Sequence, residues 1–100
     1  MIRGSTPTHE FTVPFETKSI EKLEISYAQN DIVLFTKHKE DCILDGYTVT
    51  LSLTQEETLL FDAEKRYVQI QMRVKTGGEE VSISEIITVE IKKALFDEVI

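Results

Sequence analysis

Tyr67–Lys75 reads YVQIQMRVK, and its alternation decides the fold class. Val68, Ile70, Met72 and Val74 fall on one face of an extended chain, while Gln69, Gln71, Arg73 and Lys75 fall on the other. Successive side chains of a strand point to opposite faces, so the segment is predicted to be a strand with one buried and one wet side. A wet side marks an antiparallel sheet, because parallel strands are covered on both faces.

The same period extends outward in both directions. In YTVTLSL, Tyr47, Val49, Leu51 and Leu53 alternate with Thr48, Thr50 and Ser52, which places the tyrosine inward with the aliphatics. VSISEIITVEIK puts Val81, Ile83, Ile87, Val89 and Ile91 on one side. Glu85 breaks the parity and Ile86 adds an apolar residue to the other side, which predicts a bulge or bend at Ser84–Ile86. Phe11, Val13 and Phe15 alternate with Thr12 and Pro14. Proline has no N–H for a ladder, so this strand is expected at a sheet edge or to end there. KLEISYAQ turns Leu23, Ile25 and Tyr27 inward. IVLFT, residues 32–36, is apolar on both faces and is predicted to be a more central strand.

Turn signals separate these runs. Asn30-Asp31 and Asp45-Gly46 each precede a strand, and Gly77-Gly78 is expected to join two strands as a tight hairpin. About six or seven short strands with no long helical period predict an all-β, antiparallel β-sandwich of immunoglobulin-like type, with a small open barrel as the alternative. Residues 9–93 would form the single domain, after a flexible segment at 1–8 and before a tail at 94–100.

One stretch departs from period two. In TQEETLLF, Thr54 and Glu57 form a T-x-x-E capping box, and Gln55 and Glu56 occupy a first turn where negative charge suits the helix dipole. Leu59, Leu60 and Phe61 follow at once, and Asp62 to Arg66 reads as a loop. The prediction is one short helical turn at about 54–58, a corner between strands, with Leu59 or Phe61 plugging the sandwich.

Composition narrows the classes of function. An apolar fraction of 41% in a chain of 100 residues is enough for a core without staples. Lys and Arg number 11 against 18 Asp and Glu, a formal charge of −7, which sets the chain against phosphate backbones and anionic membranes. No apolar run approaches the roughly 18 residues of a membrane span, and none follows Arg3, so no secretory signal is expected. The single cysteine, Cys42, excludes an internal disulfide framework and points to a reducing compartment.

Candidate reactive residues carry little. His9 and His38 are far apart in the chain, and His38 lies between Lys37 and Lys39, a poor place for a cation. Cys42 has no CxxC partner, and Glu40 and Asp41 would raise its pKa. EDCILDG, residues 40–46, lacks the alternating oxygen ligands of a calcium loop and reads as a plain loop. No lysine-serine pair or helix follows Gly77-Gly78, so it is not a phosphate loop, and Glu79 and Glu80 read as solvated hairpin charges. The expectation is a non-enzyme with no catalytic residue, no metal and no cofactor.

KKALFDEVI offers something different. Leu95, Phe96, Val99 and Ile100 recur at helical spacing and are four large apolar side chains within a few residues. The sequence predicts a short helical tail that either folds back to close one end of the sandwich or packs on a neighbouring subunit. These four are the candidate partner interface, and a homo-oligomer is one form it can take.

Taken in order, ISYAQND, DCILDG, LSLTQEETLLF, VQIQMRV, TGGE, S-x-I-I-T-V-E-I and the final VI resemble a group of short proteins encoded in phages and prophages of Gram-positive bacteria, which tend to occur among virion structural genes. The likeness runs from about Phe11 to Ile100, with LTQEETLLF its most distinctive stretch. It implies a structural or accessory virion protein, similar in outline to the immunoglobulin-like modules of tails and baseplates. Such a protein would be made in the bacterial cytoplasm, with other virion proteins as partners. It implies no catalytic residues. Two other classes stay open. A carbohydrate-binding module would need exposed aromatics, whereas there is no tryptophan and alternation is expected to bury at least two of Tyr27, Tyr47 and Tyr67. A small acidic inhibitor or DNA mimic would need its carboxylates gathered on one face, and here they are scattered.

Overall fold

A computed structural model describes residues 1–78 and 80–100. Among them eight strands form two antiparallel sheets: β1 (Thr8–Thr12), β2 (Ile20–Gln29), β3 (Ile32–His38), β4 (Cys42–Asp45), β5 (Thr48–Ser52), β6 (Tyr67–Thr76), β7 (Val81–Ile83) and β8 (Ile87–Glu90). The smaller sheet has the order β1-β5-β4. The larger runs β3-β2-β6-β7, and β8 pairs with β6 beside β7. The chain is therefore an antiparallel β-sandwich. Its strand order is not that of an immunoglobulin domain: β2 and β3 pair as a hairpin in one sheet, where an immunoglobulin domain places its second and third strands in opposite sheets.

Alternation does its work where it is cleanest. Val68, Ile70, Met72 and Val74 of β6 are buried and meet Leu23, Ile25 and Tyr27 of β2 and Val49, Leu51 and Leu53 from the β5 segment in one core. Asn30 and Asp31 take positive φ (50° and 65°), the two-residue turn whose twist matches a right-handed hairpin. β1 lies at an edge and stops short of Pro14. The break expected at Ser84–Ile86 falls between β7 and β8, and Ser84 caps it by accepting from the backbone N–H of Met72 (2.9 Å). Of the hairpin residues at 77–80, Glu79 lies outside the described residues; Glu80 is exposed.

The corner after β5 is a single turn, α1 (Gln55–Thr58), closed by the capping box: Thr54 Oγ1 accepts from the N–H of Glu57 (3.1 Å), and Glu57 Oε1 accepts from the N–H of Thr54 (2.8 Å). Phe61 is the plug. It is buried against Tyr27 and Phe35, while Leu60 is exposed. Gln29 fastens the corner to β2 by donating to the carbonyl of Asp62 and accepting from its N–H, both at 2.8 Å.

Five readings need correction. IVLFT is not central: β3 is an edge strand, with Ile32, Val33 and Leu34 exposed. Apolar residues on both faces show that a strand lacks polar partners, not that neighbours flank it. Tyr47 is exposed because β5 begins at Thr48 and Tyr47 belongs to the preceding turn; Tyr67, at the start of β6, is exposed as well, so only Tyr27 is buried. Val81, Ile83 and Ile87 are exposed, since nothing of the small sheet covers that edge. EDCILDG is no plain loop: Cys42–Asp45 is β4, paired with β5, after a 3-10 turn at Lys39–Asp41. Residues 94–100 contain no helix. Seven residues with no surface to pack on cannot meet the cost of helix nucleation.

Residues 1–8, expected as a flexible segment, make several hydrogen bonds to the body. The amino group of Met1 donates to the carbonyl of Glu90 (2.9 Å), and Ile2 bridges Lys92. Arg3 donates to the carbonyls of Phe61 (2.7 Å) and Leu59 (2.9 Å), and Thr58 Oγ1 accepts from the N–H of Gly4 (3.0 Å).

Candidate functional site

The two sheets differ in width, and this builds the main surface feature. The large sheet is four strand positions wide, since β7 and β8 share one edge, and the small sheet is three wide. On one side the direct link from β3 through Lys39–Asp41 to β4 closes the sandwich. On the other, residues 1–3 bond to Glu90 and Lys92 at one end, and along the rest of that side an open groove of about 440 Å³ runs between β1 and the β7–β8 edge. Its floor is core: Val13, Ile70, Met72 and Val74. Its rims carry Phe11 and Phe15 on one side and Ile83 and Ile87 on the other.

Both rims are free strand edges. Val13 N–H donates to Tyr47 and Leu53 N–H to Pro7, which fixes residues 7, 9, 11 and 13 as those bonded to β5. Hydrogen-bonding direction alternates along an antiparallel strand, so the backbone groups of Glu10 and Thr12 face the groove. On the opposite rim Ser84 N–H donates to Met72, and by the same alternation the backbone of Ile83 faces outward.

The four residues singled out in the tail lie elsewhere. Leu95, Phe96, Val99 and Ile100 are 95%, 75%, 50% and 105% exposed. They do not form a lid, because Phe61 and Thr58 already close that end of the sandwich. The tail is tethered lightly: Asp97 pairs with Arg3, and the N–H of Ile100 donates to Gln55 Oε1 (3.0 Å). It leaves the body next to the start of β6, where Ile91 N–H donates to Arg66, far along the sheet from Val74.

His9 and His38 are not brought into a ligand set, and among the described residues no three His, Cys, Asp or Glu side chains gather to hold a metal. His9 is half-buried in β1, stacks on Tyr27 and shares a 2.8 Å hydrogen bond with its hydroxyl. Burial, with the nearby terminal ammonium, lowers the His9 pKa, and burial raises that of Tyr27. The Cys42 thiol is pushed up by burial and by Asp41 and Glu40, against a smaller opposing pull from Lys37. No helix among the described residues is long and apolar enough to cross a membrane.

One ionic contact had no signal in the sequence. Glu57 uses Oε1 in the capping box and Oε2 to pair with Lys37 of β3 at 2.5 Å, with both side chains about four-fifths buried. Burial works against the carboxylate, but the hydrogen bonds from Lys37 and Thr54 outweigh it, so Glu57 titrates below its ordinary value. The hydrogen bond that Lys37 donates to Glu57 likewise raises the Lys37 pKa, against the opposing effect of burial. A carboxyl with a lowered folded pKa stabilises the fold above its unfolded value, and the contribution fades as pH falls through the folded one. Acidification from pH 6 toward pH 3 should therefore lower the melting temperature, and Glu57→Gln should flatten that slope; an unchanged slope in the variant would show that the pair contributes nothing.

The comparisons with known proteins add no relative: the chain matches no protein family, no curated protein and no solved structure.

Proposed function

We propose that this chain is a non-enzymatic structural or accessory protein of a phage or prophage particle, acting by protein–protein assembly with other virion proteins. The observation that carries the reading is the tail: four large apolar side chains from Leu95 to Ile100 stand exposed, apart from the buried core of the sandwich. Such a patch marks an interaction surface. The sequence resemblance, which runs to Ile100, supplies the setting, and the charge of −7 sets the chain against nucleic acid as partner. A glycan-binding reading is weaker. Tyr47 and Tyr67 are exposed, but they sit at opposite ends of the sandwich and form no stacking platform.

Removing residues 94–100 tests the proposal. Since the tail is exposed and held by one surface ion pair and one exposed hydrogen bond, its loss should cost no more than about 1–2 kcal/mol of stability. The full chain should co-sediment with the tail and baseplate proteins encoded beside it, and the truncated chain should not. If the truncated chain binds as well as the full one, or neither binds, the assembly reading fails.

A further inference from the structure

We infer that the C-terminal tail is one half of a two-fold interface, and that the surface it meets is the same tail on a second copy of this chain. This rests on the assembly reading and names the partner. Residues 93–100 stand as a ridge between two hollows. On one side a hollow of about 380 Å³ is lined by Ile2, Ala94, Phe96, Val99 and Ile100. On the other, Lys93 and Asp97 border a second hollow with Leu59 and Leu60. Arg3 lines both, so it lies beneath the ridge, where it donates to the carbonyls of Leu59 and Phe61 and pairs with Asp97. Leu95 lines neither hollow and forms the crest. An apolar ridge with an apolar hollow beside it is complementary to itself under a two-fold rotation, because each copy's ridge can enter the other's hollow. Contacts of that kind are isologous and close at two chains.

Area argues for a partner the size of a protein. Taking a free residue of these types at roughly 150–200 Å², the exposures of Ile2, Leu95, Phe96, Val99 and Ile100 amount to about 700 Å². That exceeds the largest patch of an ordinary monomer, about 300–600 Å². It approaches the roughly 800 Å² that one partner gives to a standard interface. Charge does not oppose the pairing at this place. The chain carries −7, but across the ridge and its apolar hollow Arg3, Lys92 and Lys93 match Asp97, Glu98 and the terminal carboxylate in number. Two copies meeting here bring no net charge together, since the acidic excess lies outside the patch.

Sedimentation equilibrium tests the pairing. The unaltered chain should shift from one chain to two as its concentration rises, and should stop there. Leu95→Glu and Phe96→Glu each place a charge on the ridge, twice per pair, and each should weaken the association about tenfold or more. Both positions are exposed, so the far-ultraviolet circular dichroism of the two variants should be unchanged, which separates lost pairing from lost folding. Ile83→Glu, as exposed but on the rim of the groove between β1 and β7, should leave the pairing as it was. The inference falls if the chain stays single at every concentration, if its mass climbs past two chains, or if Ile83→Glu weakens the pairing at least as much as Phe96→Glu. If copies stay single while the full chain captures a tail or baseplate protein, the assembly reading stands and the two-fold pair alone is lost. If copies pair through Phe96 and no virion protein is captured, the pair stands and the virion setting is lost.

Discussion

Tyr27→Ala is expected to cost roughly 3–5 kcal/mol, the range for removing a large aromatic from a core. Tyr27 is fully buried and stacks on Phe35 with ring centroids 4.9 Å apart, and Phe61 lies 6.2 Å away. His9 also stacks on it and is hydrogen-bonded to its hydroxyl. Truncation empties the point where the two sheets and the α1 corner meet, and it leaves a half-buried imidazole without a partner. Tyr27→Phe should cost about 1–3 kcal/mol, the penalty for an orphaned buried polar group, and should keep the packing. Tyr47→Ala, in an exposed turn, should stay within about 0.5 kcal/mol. Chemical denaturation of the three variants separates them. If Tyr27→Ala and Tyr47→Ala were equally mild, the aromatic cluster would not be the centre of this core.

Ile70→Ala should cost about 2–5 kcal/mol, because Ile70 is 2% exposed and stands where β6 faces the small sheet. Ile32→Ala at the start of β3 should cost little, within about 0.5 kcal/mol, although both residues are isoleucines in strands. Ile32 is 63% exposed on an edge strand. Equal costs at the two positions would mean that β3 is covered in solution, and the edge assignment would fail.

That contrast shows where sequence reasoning stopped. The floor of the groove was legible as the inward face of YVQIQMRVK, but the groove itself was not. It exists because the large sheet is wider than the small one, and no local pattern records how many strands lie in each layer. The tail was legible as an apolar surplus. Its helical spacing misled, because spacing states which side chains could share a face and says nothing of whether a surface exists to hold that face. Lys37–Glu57 joins residues 20 apart in the chain and could be seen only once β3 was packed beside the corner.

By itself, then, the sequence determined the class and the inward faces. Strict period two in β2, β5 and β6 leaves one way to bury Leu23, Ile25, Val49, Leu51, Val68, Ile70 and Met72 while keeping their neighbours wet. The capping box at Thr54 and Glu57 is equally local, since its four atoms lie within one turn. Pro14 already marked β1 as an edge, but tertiary structure alone decided that β3 is one too, why Ile83 and Ile87 stand open while Val89 is partly covered, and that the tail finds no place on its own core. Side-chain alternation assigns a residue to a face. Whether anything covers that face depends on the order of strands in two sheets, and long-range pairing sets that order.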